Sequence, residues 1–366
     1  MNKKKIIFSI NGSLKHCGVD EYTILLEKVL QEEYEFIHIV QSGSDIHKLL
    51  VEKGKKVLPL DSPYLKSIKQ IFCYIKEYEP DIVFINTAKQ YYLSILFPRY
   101  CKLIIVRHNS YNLQYFPNLF FLKMVNFIIA PSNFCASVIK KQFPKLKDKI
   151  KVIYNTVYLD NINYNDNSLS SPKNAKSDNF ETDLFNIGFI GRIEPKKGIL
   201  LLIDALYKMK KENLKFHCYI AGKFSSIAFE KEVKNSISQK GLERYITFDG
   251  FIKDKNEFYS KLDLVVIPSL KEVKETFGLV VLEAFLFNKP VVATSSGALP
   301  EIITYGPSSI VCHTQNPQDL ANCIKLSMDK KLRDEYRYRM MIPYKSFFNF
   351  TKFKKDINDI IELIKA

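Results

Sequence analysis

Short apolar runs separated by stretches of helical periodicity dominate both halves of the chain, a pattern that predicts parallel, doubly wound sheets. In the first half the runs at 5–10, 36–40, 56–60, 82–86, 103–107, 127–131 and 151–154 read as strands. Between the first two, Ile24, Leu25, Leu26, Val29 and Leu30 recur at helical spacing, so residues 20–31 read as a helix that faces the core. Residues 161–183 break the pattern with Asn, Ser, Asp and Pro172 and read as an interdomain linker. Alternation resumes with strands over 186–191, 216–221, 246–248, 264–267, 291–294 and 309–312, and residues 346–366 have the pattern of an amphipathic helix. The expected division is a first Rossmann-like domain over 1–160, the linker 161–183, a second Rossmann-like domain over 184–343 and a terminal helix within 344–366. In open α/β sheets ligands bind beyond the carboxyl ends of the strands, which places the expected site in a cleft where two such domains face each other.

Composition narrows the function classes. A length of 366 residues fits two domains of about 150–180 residues. No run of eighteen apolar residues is present, so no membrane-spanning helix is expected. The apolar stretch 6–10 is too short for a signal peptide, which implies a cytoplasmic chain. Seven cysteines are scattered without a Cys-x-x-Cys pair or a nearby histidine ladder, so reduced thiols are expected, with neither a metal site nor disulfide chemistry. The net charge of +15, from 54 Lys and Arg against 39 Asp and Glu, favours an anionic partner. No nucleic-acid motif accompanies the dispersed charge, and the expected partner is the anionic inner face of a membrane, to which the chain would attach peripherally. A lysine-rich, solvated surface is the plain alternative.

Candidate chemistry concentrates in the second half. Glu275 and Glu283 stand eight positions apart on the otherwise apolar segment that includes Phe277, Gly278 and Leu279. If 278–288 is helical, the acids are separated by roughly 12 Å along the axis, with Glu275 at the amino-terminal entrance, where backbone N–H groups and the helix dipole suit a hydroxyl or phosphate oxygen. Spacing alone fits equally well a capping Glu275 and a solvated Glu283. Arg192 and Lys197 flank a strand-to-helix turn that ends at Gly198, a placement suited to a diphosphate. Gly18 in the loop before the first helix allows close backbone approach to a phosphate, while the absence of a full Gly-x-Gly-x-x-Gly weakens a nicotinamide reading. His108, with Arg107, Asn109 and Tyr111 beside it, follows the strand 103–107 at the edge where a cleft residue is expected. Gly222 and the Gly250-Phe251-Ile252 segment follow strands as turns.

The Pro268-Ser269 step, the Glu-x7-Glu pair, Lys289-Pro290-Val291-Val292 and Gly191-Arg192 through Lys197-Gly198 together resemble the retaining glycosyltransferases of family 4, which have the GT-B fold. The resemblance covers nearly the whole chain and is strongest from Gly188 to Glu301. It departs from the family at Cys17-Gly18, where a double glycine is usual. It implies two Rossmann-like domains facing across a cleft, the last helix crossing back to the first domain, and retained anomeric configuration. It assigns Arg192 and Lys197 to the donor diphosphate, Glu275 with Phe277, Gly278 and Leu279 to the sugar, and Glu283 to the ribose. Gly222, Phe251 and Ile252 would surround the base, Gly18 would approach a phosphate, and His108 would lie near donor sugar and acceptor, with Arg107, Asn109 and Tyr111 lining the acceptor side. No cofactor and no metal are implied. The donor would be a nucleoside diphosphate sugar, a UDP-sugar first and a GDP-sugar second, and the acceptor a growing cell-envelope glycan or a lipid-linked sugar. Two rivals are a GT-B phosphorylase or epimerase, and a noncatalytic scaffold for an anionic envelope polymer.

Overall fold

The computed structural model describes residues 4–15, 18–61, 64–109, 116–158, 184–252, 254–305, 310–313, 315–329 and 344–365. The expected linker over 161–183, Tyr111 and the first residue of the last expected strand lie outside them. The chain divides into two compact units, Met1–Tyr158 with Phe350–Ala366, and Leu159–Asn349.

The first unit holds a seven-stranded parallel sheet in the order β3-β2-β1-β4-β5-β6-β7. Its strands are β1 (Lys5–Asn11), β2 (Tyr34–Gln41), β3 (Val57–Leu60), β4 (Ile82–Ile85), β5 (Lys102–Val106), β6 (Phe127–Ala130) and β7 (Ile150–Val152). Both faces of this sheet are buried, which is why its strands read as continuous apolar runs. Strand alternation sends Ile6, Phe8, Val83, Ile85 and Ile105 to one face and Ile7, Ile82, Phe84 and Ile104 to the other. The first face is covered by α3 (Tyr64–Tyr78), a 3-10 segment (Ala88–Leu96), α4 (Phe116–Met124) and α5 (Asn133–Gln142). The second is covered by α1 (Gly18–Leu30) and the last helix of the chain, Phe350–Lys365. The short helix α2 (Asp45–Glu52) begins at Ser44, whose hydroxyl accepts the His47 N–H at 3.2 Å.

The second unit holds a six-stranded parallel sheet in the order β10-β9-β8-β11-β12-β13. Its strands are β8 (Phe185–Ile190), β9 (Phe216–Ala221), β10 (Ile246–Gly250), β11 (Leu264–Ile267), β12 (Val291–Thr294) and β13 (Ile310–Cys312). Its helices are α6 (Ile199–Lys211), α7 (Ile227–Gln239), α8 (Lys255–Ser260), α9 (Leu279–Leu286), α10 (Leu299–Ile303) and α11 (Pro317–Leu326). With the last helix, α12, returning to the first unit, the architecture is GT-B: two Rossmann-like domains, the first completed by the carboxyl terminus.

The terminal helix is shorter than its sequence pattern suggests. Tyr344–Phe348 forms a separate π-helical turn in the second unit, where Phe348 is buried with its ring edge-on to Phe277 at 5.9 Å. The helix then starts at Phe350 and buries Phe353, Ile357, Ile360, Ile361 and Ile364 against α1 and the sheet. Its outer face carries exposed pairs such as Lys354 with Glu32 at 2.9 Å. Burial of this apolar stripe, and not the surface pairs, holds α12 in place. Ile357→Ala is therefore expected to cost about 2–5 kcal/mol of stability, and Lys354→Ala less than about 1 kcal/mol. Urea titration followed by circular dichroism checks this, and equal losses in the two variants would refute it.

Candidate active site

β8 ends at Ile190, and Gly191, at φ 149°, opens the turn into Arg192 and Ile193. A 3-10 turn, Pro195–Lys197, then leads to Gly198, in the left-handed region at φ 74°, and α6 follows. Gly198 lies so close to the carbonyl oxygen of Pro268, just past β11, that any Cβ there would overlap it. The Leu270 N–H donates to the Lys196 carbonyl at 2.9 Å, tying the same two segments together. This contact delivers Lys197 to Glu275, 78 residues further along the chain: Nζ stands 2.5 Å from Oε1, with the two side chains 25% and 13% exposed. The Ser269 hydroxyl donates to that same oxygen at 2.7 Å. Both bonds fall on Oε1; among the described residues Oε2 accepts none.

The backbone of Glu275 is held as firmly as its side chain. Ala298 donates its N–H to the Glu275 carbonyl at 2.7 Å, and Gly297 passes so near the Glu275 backbone that a Cβ would collide with it. Lys274 is in the left-handed region at φ 48°, and Gly278, at φ 94°, caps α9. The helix expected over 278–288 thus occupies Leu279–Leu286, and Glu275 lies outside it, in the turn that Lys274 makes. The helical-rise separation of the two acids therefore does not apply. Phe277 is buried against Phe348, so only its backbone is available to a ligand, while Gly278 and Leu279 are half-buried.

Glu283 sits within α9, 8% exposed, with both carboxylate oxygens engaged. Lys255 donates to Oε1 at 2.7 Å and the Tyr259 hydroxyl to Oε2 at 2.9 Å. Tyr259 is fully buried, its ring stacked on Phe287 at 4.7 Å and 8°, and burial together with the Glu283 charge pushes its phenol well above the usual range. Gly222 donates its N–H to the Gly250 carbonyl at 2.6 Å, and a Cβ on Gly222 would overlap the carbonyl of Gly191. The ends of β8, β9 and β10 are thereby drawn together beside a pocket of about 450 Å³ lined by Gly222, Lys223, Phe224, Ile227, Phe248 and Gly250. Phe251 is 56% exposed, with the Lys223 ammonium 5.1 Å above its ring, and Ile252 beside it is half-buried. Arg192 projects outward, 65% exposed, its Nη2 3.3 Å from Glu194 and apart from the Lys197–Glu275 pair.

Gly18 and His108 belong to the first unit. Gly18 is the first residue of α1. His108 is half-buried just beyond β5, its ring edge-on to Tyr22 of α1 at 4.7 Å. Burial pushes the imidazole down to about 3, so it is neutral at physiological pH. The neutral ring can offer or accept a hydrogen bond, and burial disfavours a positive charge there. Arg107 does not line a surface as expected from its place beside His108. It is 2% exposed, inside the unit, where its carbonyl accepts the Cys135 thiol at 3.6 Å.

Two family models match the chain: glycosyl transferases group 1 over residues 170–342 and glycosyltransferase family 4 over residues 18–161. The chain belongs to glycosyltransferase family 4. Among curated relatives of this glycosyltransferase, one from Methanocaldococcus jannaschii is 34% identical over 48% of the chain and 44% of its own length. The lipopolysaccharide 1,2-N-acetylglucosaminetransferase of Salmonella typhimurium is 24% identical over 93% of the chain and 84% of its own length. Of these two, the chain thus spans less than half of the first and most of the second. Two solved structures share the fold. A glycosyltransferase from Rickettsia africae has a TM-score of 0.84 at 24% identity, covering 99% of each chain. HepE from Anabaena, solved with UDP-glucose, has a TM-score of 0.81 at 22% identity, covering 98% of this chain and 99% of its own.

Within this family 4 transferase the structure adds Lys255 and Tyr259 to the residues that sequence motifs indicate, and it gives Ser269 of the Pro268-Ser269 step a direct bond to Glu275. Lys255 and Tyr259 stand four apart, the helical spacing that places two side chains on one face, and this is the signal by which they could have been found. Nothing in the local sequence pairs them with Glu283.

The half-buried His108 also makes stability depend on pH. An unfolded histidine binds its proton near pH 6.5, whereas His108 in the folded chain does so only near 3. Between those values the unfolded state takes up more protons, so this contribution is intact above about pH 6.5 and falls as pH drops. With allowance for partial exposure, a loss of about 1 kcal/mol per pH unit is expected below pH 6.5. Urea titrations at several pH values should show His108→Gln with a shallower slope than the parent; identical slopes would count against it.

Proposed function

We propose that this family 4 glycosyltransferase is a retaining enzyme that moves a hexose-type sugar from a nucleoside diphosphate sugar to a growing cell-envelope glycan or a lipid-linked acceptor. The observation that carries the reading is the meeting of Lys197 and Glu275 at 2.5 Å, with Ser269 on the same carboxylate oxygen. It joins a cation suited to a diphosphate to an acid suited to sugar hydroxyls, and it leaves Glu275 Oε2 open toward a ligand. A UDP-sugar is the first choice of donor and a GDP-sugar the second; the Anabaena structure with UDP-glucose supports the former. The Salmonella lipopolysaccharide relative supports an envelope acceptor, as does the lipopolysaccharide core mannosyltransferase of Rhizobium meliloti, 34% identical over 33% of this chain.

In the proposed reaction the bond from the anomeric carbon to the β-phosphate oxygen breaks through an oxocarbenium-like state. An acceptor hydroxyl attacks on the same face, and its proton passes to the departing phosphate. Negative charge grows on that phosphate as the bond breaks, so Arg192 and Lys197 stabilise the transition state more than the ground state. These two cations take the part that a divalent ion plays elsewhere, and the reaction is proposed to be metal-independent. Glu275, bound by a cation and a hydroxyl through one oxygen, is suited to hold sugar hydroxyls rather than to form a covalent bond. Glu283 takes the ribose, and the segments at Gly222, Phe251 and Ile252 surround the base. Phe277, Gly278 and Leu279 present backbone groups to the sugar, Gly18 approaches a phosphate, and neutral His108 orients sugar or acceptor.

Nucleotide release from a panel of UDP-, GDP- and ADP-sugars with lipid-linked acceptors tests this. Lys197→Ala and Glu275→Ala are each expected to lower kcat by about 10²–10³-fold. Sugar 1-phosphate formed from a glycan and inorganic phosphate would instead identify a phosphorylase. Polymer binding without nucleotide release, unchanged by Glu275→Ala, would identify a scaffold.

The proposed location is the cytoplasm, peripherally on the anionic inner face of the membrane. Among the described residues no helix is long and apolar enough to cross a membrane. The outer side of the layer formed by α3, the 3-10 segment and α4 exposes Phe72, Ile95, Phe120 and Met124, with Tyr100 in the turn that follows the 3-10 segment. Lys69, Lys76 and Lys123 are exposed on the same elements, and the Lys76 ammonium lies 4.6 Å from the Phe72 ring. Exposed aromatic rings among lysines fit an anionic bilayer surface, where each lysine contributes about 1 kcal/mol. Sedimentation with phosphatidylglycerol vesicles should bring the protein down at low salt and lose it at high salt, and Phe72→Ser should weaken binding. Equal recovery on purely zwitterionic vesicles would overturn the electrostatic part of the proposal.

A further inference from the structure

We infer that Tyr259 and Lys255 are positioning residues that hold the Glu283 carboxylate in the one orientation able to accept ribose hydroxyls, and so set the preference for a ribonucleotide donor. The inference rests on the proposed donor site, in which Glu283 meets the ribose.

The geometry is specific. α8 begins at Asp254, whose carboxylate accepts the N–H of Asn256 at 2.8 Å, and this cap fixes the short helix that carries both residues. Four positions apart, Lys255 and Tyr259 share a helical face and reach different oxygens of Glu283, at 2.7 and 2.9 Å. Tyr259 has no freedom to move: its ring is fully buried, stacked on Phe287 and edge-on to Phe258 at 5.7 Å. Phe287 closes α9, the helix that carries Glu283, so the tyrosine is packed against the same element it hydrogen-bonds. A carboxylate on a three-bond side chain would otherwise rotate, and each hydrogen bond to a ligand would then cost ordering entropy. Lys255 is 31% exposed and offsets the Glu283 charge, which would otherwise repel a diphosphate nearby.

The test compares UDP with 2′-deoxy-UDP and 3′-deoxy-UDP by isothermal titration calorimetry. The parent protein is expected to prefer UDP over a deoxy analogue by about ten- to a hundredfold, the range for a hydrogen bond to a charged acceptor. Tyr259→Phe should reduce that ratio to about threefold or less while leaving affinity for the deoxy analogue nearly unchanged. A purely structural role would weaken UDP and deoxy-UDP alike and leave the ratio intact, which overturns the inference. Lys255→Met, at a partly exposed position, gives the same reading if the Tyr259 variant melts early. A parent that binds UDP and its deoxy analogues equally would instead refute the ribose role of Glu283. If UDP does not bind, GDP with 2′-deoxy-GDP is the probe pair; binding of neither would refute the donor site itself.

Discussion

The close approach of Gly198 to the carbonyl of Pro268 is the constraint on which the candidate site depends. It allows the loop after β8 to lie flat against the segment after β11, which no residue with a side chain would permit. From that contact follow the Leu270–Lys196 backbone bond, the Lys197–Glu275 ion pair and the reach of Ser269 to the same oxygen. Gly297 repeats the device from the other side, giving the loop after β12 access to the Glu275 backbone. Three loops from three neighbouring parallel strands thus converge on Glu275, two on its carboxylate and one on its backbone, because glycine stands where two of them touch their neighbours.

The two cations of the turn after β8, Lys197 on this carboxylate and Arg192 on Glu194, differ in physical state. Lys197 is partly withdrawn from water and pinned by a short bond, so removing Glu275 would leave a partly desolvated charge without its partner. Arg192, at 65% exposure, holds Glu194 at 3.3 Å through a contact that solvent largely screens. An anionic ligand could take Arg192 from Glu194 at little cost, while Lys197 would have to share its proton donors between ligand and Glu275. One cation is held in place and the other exchangeable, a division that would suit the departing diphosphate of the proposed reaction.

Much of the fold was legible in the sequence, because a sheet buried on both faces leaves a run of apolar residues that needs no partner to be recognised. All thirteen strands of the structure fall within two residues of the runs read from the chain. The helices were less exact. The terminal pattern hides the break at Asn349, because Phe347 and Phe348 continue an apolar series while Phe348 is buried in the other unit against Phe277. At the site, Glu275 and Glu283 stood out because carboxylates in an apolar segment are unusual. What was not legible was their surroundings: Lys255 and Tyr259 on one acid, and the bond from the motif's Ser269 to the other, depend on turns and side-chain rotamers that periodicity does not encode. Arg107 was misjudged for a related reason, since an arginine beside an exposed-looking loop gives no sign in sequence that its side chain turns inward.

The first unit has its own polar pole. Asn11 at the end of β1 donates to Asp20 of α1 at 2.8 Å, and Asn86, just past β4, donates to Ser9 at 2.9 Å, all four side chains being buried. Burying such groups costs several kcal/mol unless each is hydrogen-bonded, and an apolar filling would hold these strands together as well. These buried polar pairs stand toward the carboxyl ends of the central strands, whereas on the amino side Ile6, Ile7, Ile82 and Val83 are buried and the half-buried Asp81 carboxylate accepts the Ile6 N–H at 2.8 Å. Carboxyl ends are where open α/β sheets receive ligands. A polar interior placed there, with neutral His108 beyond the neighbouring strand, is better explained by the need to support hydrogen-bonding surface above it than by stability. In the first unit, then, the central strands bury apolar side chains along their length and paired polar side chains toward their carboxyl ends.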